Sequence, residues 1–278
     1  MDNKEKKQLQ LFANTLREDV ITAIYCAQSG HPGGSLSICD TLAYLYTKVM
    51  RIDPKNPKWE DRDRFVLSKG HTCPALYSVL AELGYFPKEE LKGLRKYGRM
   101  LQGHPDMNTI PGIDMSSGSL GQGISAAVGM ALAGKLAGKN FRVFTILGDG
   151  EIDEGQVWEA AMSAAHRKLG NLIAIVDYNG IQLDGPIAEI SGPEPIPDKF
   201  QAFGWRVITC DGHDFDSLEK AFNEALTESD KPTCIVQKTV KGKGVSFMEN
   251  TAAWHGKAPN EEQYNQAMSE LENIRKGL

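Results

Sequence analysis

The sequence predicts an α/β fold, a doubly wound and mostly parallel sheet with helices on both faces, and three observations carry that reading. First, residues 141–185 read as strand, tight turn, acidic loop, helix and second strand. Residues 142–147 are a short run with β-branched and aromatic side chains, stopped by Gly148-Asp149-Gly150, the pattern of a buried parallel strand. Helical periodicity over 156–168 is followed by the apolar run 172–176, which ends at Asp177-Tyr178-Asn179. Second, strand-like runs at 64–67, 205–210 and 233–239 alternate with helical patterns, as a parallel sheet requires. Third, no repeat, low-complexity segment or linker divides the 278 residues, so 1–278 are expected to form one domain.

Taken in order, residues 4–29 place Leu9, Phe12, Leu16, Val20, Ile24 and Ala27 on one stripe of an N-terminal helix. Ser29-Gly30-His31-Pro32-Gly33-Gly34 stops it, and a helix is predicted to resume over 35–50. A polar connector, 53–63, leads into strand 64–67, which runs straight into Ser68-Lys69-Gly70-His71. Helices are predicted at 74–83 and 88–97, and 99–117 reads as a long Gly-, Pro-, Met- and His-containing loop of the kind kept for function. Gly118-Ser119-Leu120-Gly121-Gln122-Gly123 then opens an Ala/Gly-rich helix to about 136. Its small residues permit close packing on the sheet and close ligand approach at the helix N-terminus. Beyond the central unit, 187–199 reads as irregular and proline-rich, 205–210 as a strand, 217–229 as a helix and 233–239 as the last strand. The Gly-rich tail 240–259 contains His255, and 261–275 closes the chain as a helix.

A formal net charge of −5 gives no broad electrostatic case for nucleic acid or an anionic membrane. The five cysteines are scattered, odd in number and never in a CxxC pair, so they read as reduced thiols of a cytoplasmic protein. The first ten residues are polar and carry no secretory signal, and the most apolar window, 124–137, is too short for a bilayer and contains Lys135.

In a right-handed β-α-β unit both strands end at the same sheet edge, which brings Asp149 and Asn179 together across 29 intervening residues. That edge is where open α/β sheets bind ligands. The chemistry there suits a magnesium diphosphate. A hard cation takes few oxygens from protein and the rest from phosphate and water. Asp149, the amide oxygen of Asn179 and one backbone carbonyl just beyond meet that need, while Gly148 and Gly150 let the backbone approach phosphate. An isolated Gly-Asp-Gly is usually only a strand-to-helix turn, whereas this turn followed by an Asn at the end of the next strand is far rarer by chance. Four of the six histidines, His31, His71, His104 and His255, sit beside glycine in loops predicted at one edge. A free imidazole titrates near ~6.5 and exchanges protons readily at neutral pH. His166 and His213 read as an ordinary helix-face residue and an ordinary turn residue. Glu154 has the bland reading of a first-turn helix charge. A nicotinamide site is disfavoured, because 118–123 reads GxxGxG rather than GxGxxG and lacks the acidic strand-end residue.

The spacing from Gly-Asp-Gly to Asn resembles the diphosphate signature of thiamine diphosphate enzymes. Together with SGHPGGSLS (29–37), SKGHTCPALY (68–77), GHPD (103–106), GSLGQGISAAVGMALA (118–133) and the late His255, it resembles, in order, the amino-terminal half of transketolase. The resemblance runs from about residue 10 to 260 and implies a thiamine diphosphate-binding fold of the diphosphate (PP) type. It further implies that Asp149, Asn179 and the carbonyl of Ile181 bind Mg²⁺, with Ca²⁺ or Mn²⁺ as substitutes, and that Gly148 and Gly150 pack on the diphosphate. His71 and His255 would lie beside the diphosphate; Ser119 and Leu120 would meet the cofactor, Leu120 near its rings. His31 and His104, with His255, would act at the sugar as proton carriers and orienting groups, and Glu154 would join a proton relay across a dimer.

Transketolases usually continue into pyrimidine-binding and carboxy-terminal domains. The resemblance therefore implies a split enzyme, with those domains on a C-terminal partner subunit in an α₂β₂ assembly; the closing helix and Lys-Gly-Leu end read as a natural terminus. The implied activity is transfer of a two-carbon ketol unit from a ketose or ketose phosphate to an aldose or aldose phosphate in cytoplasmic carbohydrate metabolism such as the pentose phosphate pathway. The ring-activating glutamate and the phosphate-clamping arginines of the family belong to the missing portion. Two alternatives stay open: another thiamine diphosphate enzyme subunit, either deoxyxylulose-phosphate synthase-like or acting on a modified sugar, and a non-catalytic binding module. The loop after Gly-Asp-Gly is more acidic than in many family members. Only Glu154 and Gly155 of it map, which leaves the roles of Glu151 and Asp153 open, solvation being one of the readings.

Overall fold

The computed structural model describes residues 1–227 and 230–278. Five parallel strands, β1 (Arg64–Leu67), β2 (Val143–Gly148), β3 (Leu172–Tyr178), β4 (Arg206–Asp211) and β5 (Thr233–Lys238), form one sheet in the order β1-β2-β3-β5-β4. Alternation along the strands feeds two cores. Phe65, Leu67, Phe144, Ile146, Ile173, Ile175 and Ile235 enter one; Val66, Val143, Leu147, Leu172, Ala174, Val176 and Val236 enter the other. Both faces are therefore apolar, which is why the strands read as continuous rather than alternating hydrophobic runs.

Ten α-helices are described: α1 (Asn3–Ala27), α2 (Pro32–Leu36), α3 (Cys39–Tyr44), α4 (Cys73–Glu82), α5 (Gln122–Leu136), α6 (Gly155–His166), α7 (Ile187–Ile190), α8 (Ile196–Ala202), α9 (Phe215–Ala225) and α10 (Glu261–Gly277). Side chains of α1, α3, α4, α9 and α10 pack in the first core, those of α5, α6 and α8 in the second. Helix α5 lies so close to the end of β1 that a Cβ on Gly123 would sit 2.5 Å from the Ser68 Cα. The helix α10 start is fixed by a reciprocal capping box between Asn260 and Gln263.

Four predicted elements need correction. The helix expected over 35–50 is broken into α2, α3 and a wide turn at Leu45–Val49. The helix expected over 88–97 shrinks to a tight turn at Lys88–Gly93, because Leu94 leaves the helical region at ψ 130 and Arg95 then turns left-handed at φ 58. The segment 187–199, expected to be irregular, contains α7 and the start of α8, for which Pro197 supplies a favourable first-turn residue. The helix expected over 217–229 starts earlier, capped by Asp214, and ends at Ala225; the last two predicted residues lie outside the described ones.

Candidate active site

Register sets the site. Gly148 pairs with Asp177, so the turns after β2 and β3 leave the sheet side by side, as the spacing predicts. The Gly180 N–H donates to Asp149 Oδ2 at 2.6 Å and the Gly150 N–H to Oδ1 at 2.9 Å, which ties the two turns together through one carboxylate. Asn179 Nδ2 donates to Asp177 at 3.0 Å, an interaction that fixes the amide with its oxygen turned away from Asp177. The Ile181 carbonyl accepts from the Lys241 ammonium at 2.8 Å, so this oxygen already faces positive charge. One carboxylate, one amide oxygen and one carbonyl fit a hard divalent cation that completes its shell with phosphate and water. Among the described residues no cluster of three or more His, Cys, Asp or Glu competes as a metal site.

A cavity of about 290 Å³ opens above these turns. The glycines beside Asp149 serve different ends. A Cβ on Gly148 would meet nothing nearer than Lys69 Cδ at 3.7 Å, so this position holds the cavity open. A Cβ on Gly150 would lie 2.8 Å from the Gln182 Cβ, so packing between the two turns, more than approach to a ligand, demands glycine there.

Two lysines that sequence reasoning passed over enter the cavity. Lys69, 2 % exposed, pairs with Asp177 at 2.5 Å and also donates to the Gly34 carbonyl. Burial alone would raise Asp177, but the Lys69 charge and hydrogen bond, with the Thr239 and Ser37 hydroxyls, hold it below the usual carboxylate range. Asp177 is thus saturated and acts as the anchor for Lys69 and Asn179. Lys241, also 2 % exposed, is lowered to about 8, mainly by burial. Asp149 is pushed up to about 7 by burial and then by the nearby Asp177 charge. The SKGH and TVKGKG stretches were the available signals, since a lysine flanked by glycine just past a strand is placed at this edge.

Three of the four predicted histidines meet. The His31, His71 and His255 rings lie 5.1 to 5.5 Å apart, with His71 stacked on His255 and His31 edge-on to both. Desolvation, followed by the Arg95 charge, lowers His31 to about 4; desolvation, followed by Lys241, lowers His255 to about 3. His71 is driven well down by burial and Lys69. The expectation of freely titrating imidazoles is therefore corrected: burial among cations keeps these rings neutral. His104 is exposed at the rim rather than in the cavity, packed on Gly118, whose Cβ would lie 3.0 Å from its ring. His213 is a structural group, with Nδ1 facing Asp40 at 2.7 Å and Nε2 accepting the Val240 N–H.

Leu120, 37 % exposed, lines the mouth of the cavity, whereas Ser119 is exposed beside it and Glu154 lies on the surface, its Cβ against Gly121. Glu151, whose role the sequence leaves open, is a buried tie. It is 2 % exposed and accepts from Ser68 Oγ, the Gly121 N–H and the Gly148 N–H, joining the ends of β1, β2 and the turn before α5. Asp153 is exposed, as expected.

A parallel sheet with an oxygen-donor set and a histidine cluster around a cavity at its carboxyl edge fits a thiamine diphosphate-binding protein. The family model described as "Transketolase, thiamine diphosphate binding domain" matches residues 8–273, and the chain belongs to this family. It is 50% identical to the 6-deoxy-6-sulfo-D-fructose transketolase subunit of a Clostridium species, over 97% of this chain and 98% of that one. It is 40% identical to an apulose-4-phosphate transketolase subunit of Phocaeicola vulgatus, over 95% of this chain and 93% of that one. The transketolase of Leishmania mexicana superposes with a TM-score of 0.91 at 34% identity, covering 96% of this chain and 43% of that one. The chain thus spans nearly the whole of the separate subunits it resembles and under half of the single-chain transketolases.

Proposed function

We propose that the chain is the N-terminal, diphosphate-binding subunit of a two-subunit transketolase, which transfers a two-carbon ketol unit from a ketose to an aldose. The observation that carries this reading is the meeting of the Asp149–Asn179–Ile181 oxygen set with the His31–His71–His255 cluster in one cavity. Asp149, Asn179 and the Ile181 carbonyl would hold Mg²⁺, for which Ca²⁺ or Mn²⁺ could substitute. His71, His255 and Lys241 would face the diphosphate, with the backbone of Gly148 and Gly150 against it, and Ser119 and Leu120 would border the rings. Bound thiamine diphosphate supplies an electron sink for the carbon–carbon bond that breaks and forms. His31 and His104, on the rim side, would bind sugar oxygens, and the neutral state of the cluster leaves it able to hydrogen-bond a polyol without repelling the metal. The exposed Glu154 suits a relay to a neighbouring subunit.

The partner would be a C-terminal subunit with pyrimidine-binding and carboxy-terminal domains, in a cytoplasmic α₂β₂ assembly that supplies the ring-activating glutamate. The relatives named for a sulfonated fructose and for apulose 4-phosphate support a modified sugar as donor over those of the pentose phosphate pathway. Among the described residues no helix is long and apolar enough to cross a membrane. The test is co-purification with the partner and product analysis. Thiamine-dependent ketol transfer from 6-deoxy-6-sulfofructose or fructose 6-phosphate to an aldose phosphate is expected. A condensation product with pyruvate as donor instead, or cofactor-independent partner binding without any transfer, would overturn the reading.

A further inference from the structure

The break of the predicted helix at 88–97 has a purpose. Arg95, left-handed at φ 58, turns its guanidinium into the junction between two glycine–histidine loops. A non-glycine residue is uncommon in that conformation and calls for a reason. Nη1 donates to Ser29 Oγ at 2.7 Å, and Nη2 faces His31 Nδ1 at 3.3 Å and the Gly103 carbonyl at 3.4 Å. A Cβ on Gly103 would sit 2.9 Å from Arg95 Nε, so glycine before His104 makes room for the arginine. One side chain thereby ties the loop of His31 to the loop of His104.

A guanidinium has only donors and does not lose its proton in proteins. Its contact with His31 Nδ1 is favourable only if that nitrogen presents a lone pair, which puts the ring proton on Nε2. We propose that Arg95 is a positioning residue for ketol transfer: it joins the two histidine loops and fixes His31 as a neutral Nε2–H imidazole that donates a hydrogen bond to a sugar oxygen. This rests on the transketolase reading of the site. The other groups facing His31 reinforce the neutral state, since His71, His255 and Lys241 lie on its cavity side and His104 on the rim. No carboxylate is among the groups that act on its charge, so protonated His31 would have no counter-charge there.

The test is a pH titration of the ¹⁵N-histidine-labelled chain by long-range ¹H–¹⁵N spectroscopy, with His31 assigned from His31→Asn. In the wild type His31 is expected to stay neutral with its proton on Nε2 to below pH 5. Arg95→Met is expected to raise its proton affinity at least about tenfold, one pKa unit, and Arg95→Lys, which restores a donor and a charge, to reverse most of that shift. Assayed with the partner subunit, Arg95→Met should lower kcat at least about tenfold, within the usual reach of a lost positioned group, with the Kd for thiamine diphosphate little changed. A wild-type His31 that titrates near the free value, an unchanged titration in Arg95→Met, or an equal loss of cofactor affinity not restored by lysine would each overturn the proposal. If Arg95→Met does not fold, the wild-type titration and Arg95→Lys decide. Absence of ketol transfer by the wild-type pair would instead refute the transketolase reading and leave the titration standing.

Discussion

The floor and the mouth of the cavity are built in opposite ways. On the floor the buried polar groups are tied together: Lys69 and Asp177 are almost fully buried and paired, and Asp177 is surrounded by one ammonium, two hydroxyls and the Asn179 amide. At the mouth, Leu120 and Leu183 are 37 % and 59 % exposed, and Ser119, Glu154 and His104 face outward. On the proposed reading, the difference separates the half of the cofactor this chain holds from the half it shares. A dense polar floor prepaid by folding suits a compact, highly charged diphosphate and its cation. A mouth bordered by the exposed Leu120 and Leu183 suits, on the proposed reading, rings whose remaining walls come from another subunit.

The strongest way to break the comparison is at the floor. Lys69→Met should cost about 3–5 kcal/mol of unfolding free energy, because it strands a buried Asp177 charge; urea denaturation reads it, and a loss below about 1 kcal/mol would deny the floor its structural role. Asp149→Asn should weaken binding of Mg²⁺ with inorganic pyrophosphate by about 100-fold, the upper range for metal-supporting groups. Its fold should be intact, since Asp149 is itself raised to about 7 by burial and the Asp177 charge. Calorimetry of the two together would show whether the Asp149 turn or the lysines dominate.

A smaller effect comes from pH. In the unfolded chain histidine protonates near ~6.5, but folded His31 and His255 are lowered to about 4 and about 3 by burial and neighbouring cations. The unfolded state therefore binds more protons in between, so the stability they contribute is full above about 6.5 and is lost as pH falls toward those folded values. Asp149 runs the other way: raised to about 7, it makes stability decline as pH rises from the usual carboxylate range to about 7. In Asp149→Asn one opposing slope is removed, so stability should rise more steeply with pH between about 4 and 6.5, and adding His31→Asn should make that rise shallower. The least effect is expected at the mouth. Leu120→Ala should change stability by no more than about 0.5 kcal/mol, as at other exposed positions, and should weaken thiamine diphosphate binding only when the partner subunit is present. An equal loss without the partner would mean that this chain closes the mouth alone.

Much of the site was legible in the sequence because it lies on local geometry. Strand, Gly-Asp-Gly and strand-end Asn are adjacent in a β-α-β unit, so their meeting follows from spacing. Glu151 has no legible role in the sequence for the same reason in reverse: it stands in an acidic stretch with the exposed Asp153 and Glu154, and its partners Ser68 and Gly121 come from 83 and 30 residues away. Residues 88–97 have helical composition, but the Arg95 N–H bonds the Leu101 carbonyl and its guanidinium meets Ser29, His31 and Gly103, partners outside the segment that hold its left-handed turn.

By itself the sequence determined the parallel sheet and the meeting of the turns at Asp149 and Asn179, because hydrophobic period and glycine punctuation act over a few residues, and its ordered motifs pointed to the family. The tertiary structure decided which charges are buried together, that Lys69 and Lys241 enter the cavity, that Glu151 is a tie rather than a solvated acid, and that the histidines are neutral. Those outcomes depend on desolvation and on charges brought near from distant segments, and neither quantity exists until the chain has folded.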